Sequence, residues 1–203
     1  IFMRGYNDFI IKVDFVYNQT FKTESGLEIH ADSRFSQDRL ANRIAVVEEI
    51  PIMLEGKTPI KKGFEIMIDP TIYYGINTVV TGQQLSPFVI DKNKGLYRIK
   101  DEMIVLYRES SKDEWKANAE NLLVRFPKEE IAENKIGSII MEVKKVKTIK
   151  DRGTVLYSNE LIENEGVKNG DLVIVVKDIG VPFWIEGIEY NWINNRHVLA
   201  IIK

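Results

Sequence analysis

The apolar residues of this chain come in short bursts that turn residues interrupt, and this rhythm decides most of what it can fold into. Phe9-Ile10-Ile11, Ile44-Ala45-Val46-Val47, Phe64-Glu65-Ile66-Met67-Ile68, Leu172-Val173-Ile174-Val175-Val176 and Val198-Leu199-Ala200-Ile201-Ile202 are rich in β-branched residues. Bursts of that length and make-up read as strands. Glu55-Gly56-Lys57-Thr58-Pro59 and Lys168-Asn169-Gly170-Asp171 supply residues that accept positive φ or pre-set a turn. The expected fold class is therefore all-β. None of the bursts approaches the roughly 20 apolar residues that a membrane helix needs, so no membrane partner is expected. One polar stretch, Glu109 to Asn121, is rich in helix formers. It predicts a short linker of helical character over 109–118, between a first domain at 1–108 and a second at 119–203.

Composition narrows the chemistry. In 203 residues, 28 Lys and Arg stand against 30 Asp and Glu, a net charge of −2, so no overall positive field draws the chain to nucleic acid. With no cysteine there is no disulfide framework, no thiol nucleophile and no thiolate metal site. His30 and His197 lie far apart, and neither has a partner at ligand spacing. The acidic pairs Glu48-Glu49 and Glu129-Glu130 read as solvated charge, because nothing sets a second carboxylate across a cleft from them. No catalytic residue, metal site or cofactor is assigned, and the chain is expected not to be an enzyme. The opening Ile1-Phe2-Met3-Arg4-Gly5 has neither a long apolar run nor a small-residue cleavage site, which predicts a cytoplasmic protein.

The two flanks of the polar stretch can be laid over each other. Glu120-Asn121-Leu122-Leu123-Val124-Arg125 matches Asp8-Phe9-Ile10-Ile11-Lys12-Val13 at an offset of 120 − 8 = 112. Gly137 falls on Gly26 and Val155 on Ile44, each at 111. Gly170 falls on Gly63 at 107, and Val198-Leu199-Ala200-Ile201 on Met103-Ile104-Val105-Leu106 at 95. Order is kept and the offset only shrinks. The first copy is therefore expected to carry about a dozen extra residues within Thr71 to Gly95.

The second copy resembles a GroES-like co-chaperonin. The residues that carry the likeness are Glu120-Asn121-Leu122-Leu123-Val124-Arg125, a loop holding Gly137-Ser138-Ile139-Ile140-Met141, the strand Arg152-Gly153-Thr154-Val155-Leu156, the turn Val167-Lys168-Asn169-Gly170-Asp171-Leu172-Val173, and the closing Val198-Leu199-Ala200-Ile201. In the first copy, Thr23-Glu24-Ser25-Gly26-Leu27-Glu28-Ile29 is similar to the mobile loop of bacterial and phage members. That copy departs from the pattern at Arg43-Ile44, where the Arg-Gly pair is absent, at Lys62-Gly63-Phe64, which lacks the aspartate, and at Glu28 in the centre of its tripeptide. The zinc-dependent dehydrogenases that share this fold are set aside, since the chain has neither cysteine ligands nor a G-x-G-x-x-G fingerprint.

The resemblance implies two tandem, partly open GroES-like β-barrels that form a ring-like homo-oligomer and cap a chaperonin ring, with ATP bound by the partner alone. It places chaperonin contacts at Gly26, Leu27, Glu28 and Ile29, and at Gly137, Ile139, Ile140 and Met141. Such loops couple folding to binding: a segment too polar to fold alone orders a few apolar side chains in a groove. Burying Leu27 or Ile29 contributes about 1.5 to 3 kcal/mol, whereas ordering each residue costs about 1 to 2 kcal/mol, so one loop binds weakly and a ring of them tightly. Two other readings remain: a structural or assembly module, for instance of a virus, that reuses the barrel, and a small-barrel binder of single-stranded nucleic acid.

Overall fold

A computed structural model describes residues 4–18, 20–22, 25–30, 40–74, 76–77, 84–133, 143–185 and 188–202. The chain divides into two compact units, residues 1–119 with 184–188, and residues 120–183 with 189–203. The first holds strands β1 (Phe9–Lys12), β2 (Thr20–Lys22), β3 (Glu28–His30), β4 (Ile44–Glu49), β5 (Glu65–Ile68), β6 (Ile76–Asn77), β7 (Gln84–Leu85), β8 (Val89–Asp91), β9 (Leu96–Ile99), β10 (Ile104–Arg108) and β11 (Lys116–Ala117). Then follow β12 (Asn121–Arg125), β13 (Lys128–Glu133), β14 (Val143–Thr148), β15 (Arg152–Tyr157), β16 (Leu172–Val175), β17 (Val181–Ile185), β18 (Ile188–Asn194) and β19 (Val198–Ile202). A five-residue helix, Glu160–Asn164, starts at Asn159, whose side chain accepts from the Ile162 N–H. The fold is all-β and antiparallel. Neither main sheet closes on itself.

The sheet orders are β11-β10-β5-β4-β1-β9-β8 and β17-β18-β12-β15-β16-β19. Reversed, the second reproduces the first strand for strand, apart from β11. The pairing agrees at residue level. Ile11 opposes Val47 and Tyr97, as Val124 opposes Val155 and Asn191. A register shift falls between Ile10 and Ile11 in β1 and between Leu123 and Val124 in β12. Val47 exchanges backbone hydrogen bonds with the turn at Gly63-Phe64 (2.8 and 2.9 Å), and Val155 does so with Gly170-Asp171 (2.7 and 2.9 Å). Gly63 and Gly170 have φ of 86° and 90°, the left-handed region in which a side chain is strained.

The structural equivalence corrects the sequence alignment in detail. β12 stands 123 − 10 = 113 residues beyond β1. Val155 falls on Val47, an offset of 108 instead of 111, so Gly153 takes the place of Ala45 and not of Asn42. Alignment by sequence slips by three residues here because Ile44, Val46 and Val47 are all β-branched and each can be laid on Val155. The offset then drops from 107 at Ile68 and Val175 to 94 at Tyr97 and Asn191, so the first copy is 13 residues longer in between. The small β6–β7 hairpin lies in that interval.

The expected helical linker is not formed. Residues 109–115 run through turns, and β11 pairs with β10, Leu106 opposite Ala117 and Tyr107 opposite Lys116. Trp115 and Ala117 are buried, so their apolar side chains outweigh the helix propensity of the polar residues around them.

Each unit has its own core. Phe9, Ile11, Val47, Ile60, Ile66, Ile68, Ile99 and Ile104 are among those that fill the first, and Leu122, Val124, Phe126, Val155, Ile162, Val173 and Ile193 the second. The Arg-Gly departure noted in the first copy has a packing reason. A Cβ on Gly153 would sit 2.9 Å from Phe126 Cδ1 and 3.1 Å from the Arg125 carbonyl oxygen. Val13 stands where Phe126 stands, and beside this smaller side chain the strand has room for Ala45.

Candidate functional site

Between its first two core strands, each sheet sends out a hairpin. In the first unit β2 pairs with β3, Thr20 opposite His30, Phe21 opposite Ile29 and Lys22 opposite Glu28. Gly26 at the turn has φ of 82°, and a Cβ there would meet nothing within 4 Å, so glycine serves backbone conformation and not close packing. Beyond it, Leu27 is 63% exposed and Ile29 36%. Residues 25–30 are all exposed. Strand geometry puts Leu27 and Ile29 on one side and Glu28 on the other. The glutamate in the tripeptide therefore leaves the apolar side intact, and in the ladder it stands opposite position 22.

In the second unit the corresponding hairpin is longer. β13 and β14 pair over six positions, from Lys128 opposite Thr148 to Glu133 opposite Val143. Val146 and Lys147 are exposed, and Lys128 Nζ lies 3.8 Å from the Glu189 carboxylate. The basic run 144–150 is thus largely one arm of a hairpin. Gly137, Ile139, Ile140 and Met141 lie outside the described residues.

The structure thus places Gly26, Leu27, Glu28 and Ile29 together on one exposed tip. Sequence reading had no signal for the hairpin that presents them, because Thr20-Phe21-Lys22 is too short a run to read as a strand. Pairing over 20–22 and 28–30 means that much of the backbone near the apolar pair is already ordered, which lowers the entropy cost of seating it in a groove.

Among the described residues, ionisation is clearly shifted at two contacting tyrosines. Tyr73 donates from its hydroxyl to the Asn42 carbonyl oxygen (2.8 Å) and packs edge-on against Tyr97 at 5.6 Å. Burial and the neighbouring Tyr97 push its pKa well above the usual tyrosine range. Among the described residues, no three His, Asp or Glu side chains converge as a metal site would need. No described helix is long and apolar enough to cross a membrane.

No protein-family model matches the chain, and no curated protein does so either. The functional reading stands on its residues and on its duplicated architecture.

Proposed function

We propose that the chain is a non-enzymatic co-chaperonin, two GroES-like units in tandem that cap an ATP-hydrolysing chaperonin ring in the cytoplasm and assist protein folding. In this reading the units act as partly open barrels, and ATP is bound by the partner alone. The supporting observation is the hairpin tip at Gly26, where Leu27 and Ile29 face solvent together on a pre-paired stalk. A folded domain gains nothing for its own stability from two exposed aliphatic side chains on a projecting turn, whereas a partner groove gains their burial. The second unit has a longer stalk in the same interval, leading to the segment that contains Ile139, Ile140 and Met141. Two such contacts in each chain, multiplied around a ring, give avidity from weak units.

The test is co-sedimentation with purified chaperonin in ATP, in ADP and without nucleotide. The expected result is nucleotide-dependent capture that falls at least tenfold in a Leu27→Ser, Ile29→Ser double variant whose circular dichroism is unchanged. A wild-type chain that ignores chaperonin in every nucleotide state overturns the proposal. Self-assembly without such capture would then favour the assembly-module reading.

A further inference from the structure

The two sheets turn through the same kind of glycine, but the residue before it differs. Gly63 and Gly170 hold φ of 86° and 90°, a conformation that glycine adopts freely and that strains other residues. In the first unit Lys62 precedes the glycine, and its ammonium reaches the Glu49 carboxylate at 2.5 Å. In the second the preceding residue is Asn169, and Asn169-Gly170 is the only Asn-Gly pair in the sequence. Such a pair is chemically self-reactive. The Gly170 nitrogen, having given up its proton, attacks the side-chain carbonyl carbon of Asn169 and forms a C–N bond. The side-chain amide nitrogen takes up the proton and leaves as ammonia, and a five-membered succinimide remains. Water then opens the ring at either carbonyl. One opening gives aspartate; the other gives isoaspartate, with the main chain rerouted through the side-chain carbons. Glycine favours the closure because no Cβ crowds the attacking nitrogen. The turn thus demands at position 170 the residue that makes Asn169 most reactive.

The fold holds both reacting groups away from this step. The Gly170 N–H donates to the Val155 carbonyl at 2.7 Å, so the proton that must leave is engaged with β15. The Asn169 side-chain oxygen accepts from the Ser158 N–H at 2.8 Å, which fixes the carbonyl that would be attacked. Ser158 is 3% exposed, so this bond satisfies a buried donor. The rest of the turn is clamped as well. Val155 donates its N–H to the Asp171 carbonyl at 2.9 Å, and the Asp171 carboxylate accepts from the Lys168 N–H at 2.8 Å. We infer that Asn169-Gly170 is a latent self-modification site, closed in the folded second unit and released only when this turn detaches from β15. The change is one-way. Isoaspartate adds a methylene carbon to the main chain and leaves its carboxylate on the α-carbon, so the Ser158 N–H loses its acceptor and the Gly170 N–H is displaced from Val155. Aspartate on a normal main chain keeps an oxygen for Ser158. The turn therefore records past opening of the second unit in covalent form, and the matching turn of the first unit, with Lys62 in this place, keeps no such record.

The test holds the wild-type chain in mildly alkaline buffer across a series of guanidinium chloride concentrations. Peptic peptides that contain residue 169 are then analysed by mass and fragmentation, which separate asparagine, aspartate and isoaspartate. Without denaturant, conversion at Asn169 is expected to be at least about tenfold slower than in the unfolded chain, and across the series its rate should follow the unfolded fraction seen by circular dichroism. After denaturant is removed, chains bearing isoaspartate are expected to refold to a lower unfolding midpoint than unmodified chains. Asn169→Asp, with the same charge and an unaltered main chain, should lie close to wild type. Conversion in the folded protein that comes within that margin of the unfolded rate overturns the inference. So does an isoaspartyl chain with the wild-type midpoint, or an Asn169→Asp chain that has lost as much as the isoaspartyl one. Because chaperonin is absent throughout, this outcome and that of the capture experiment are independent.

Discussion

The first and second units differ least in their sheets and most in what hangs from them. Six strands match in order and direction, two register shifts recur at equivalent residues, and two glycine turns close on the same strand with the same hydrogen bonds. The hairpins between the first two core strands differ in length, one copy has an extra β6–β7 excursion, and among the described residues only the first sheet has a strand outside its last core strand. The lesson is that an apolar alternation with period two holds the sheet in register, since a one-residue slip would turn every core side chain outward. Nothing comparable constrains the loops and edges. They are free to diverge, and the proposed binding surface lies there.

The edges offer the strongest way to break the comparison. If Trp115 is the cover that distinguishes the first unit, Trp115→Ala should cost about 3 to 5 kcal/mol, the usual range for emptying a buried aromatic site. Ile202→Ala, at an exposed position, should cost less than about 1 kcal/mol. Urea unfolding at low protein concentration measures both. Similar losses for the two variants would show that the edges are energetically alike and that the difference in cover is superficial.

A sharper question is whether the small-for-large exchange between the sheets is a true compensation. Gly153→Ala should destabilise by about 1 to 3 kcal/mol, because the new methyl meets the Phe126 ring and the Arg125 carbonyl at once. Combined with Phe126→Val, which recreates the pairing of Val13 with Ala45, the same substitution should cost less than it does alone. A double-mutant cycle is expected to give a coupling energy of about 0.5 to 2 kcal/mol. Strict additivity would mean that the glycine is needed for its backbone and not for the ring beside it.

These particulars also show how far the sequence could be read. The strand content, the duplication, the Gly63 and Gly170 turns and the excess within Thr71 to Gly95 were legible because each leaves a local mark in the residue pattern. The three-residue error at Ala45 arose because Ile44-Ala45-Val46-Val47 fits the β pattern in several registers, and only cross-strand pairing chooses among them. The linker was misread because Trp115 and Ala117 owe their conformation to β10 and to Arg108, contacts that no window of neighbouring residues contains. The apolar residues at the first hairpin tip were legible as candidates, but their presentation was not. It depends on pairing between Thr20–Lys22 and Glu28–His30, too short to announce itself.

The smallest expected difference between the units is in their response to alkali. The first contains Tyr73 and Tyr97 in contact, and burial raises the pKa of both. A tyrosine is neutral when protonated, so a raised pKa means that the folded state holds the proton more tightly than the unfolded chain does. The stability this contributes is fully present below the unfolded value near pH 10 and is lost as pH rises above it. Wild-type protein should therefore lose about 1 kcal/mol between pH 10 and 11 on account of Tyr73. Tyr73→Phe should flatten that slope, although it is less stable at pH 7 by about 1 kcal/mol for the lost bond to the Asn42 carbonyl. Amide exchange resolved by residue separates the units: at pH 7 the substitution should lower protection in β1, β4 and β9 and leave β12, β15 and β18 unchanged. An alkaline slope that survives Tyr73→Phe and Tyr97→Phe together would assign it elsewhere and remove this distinction between the two sheets.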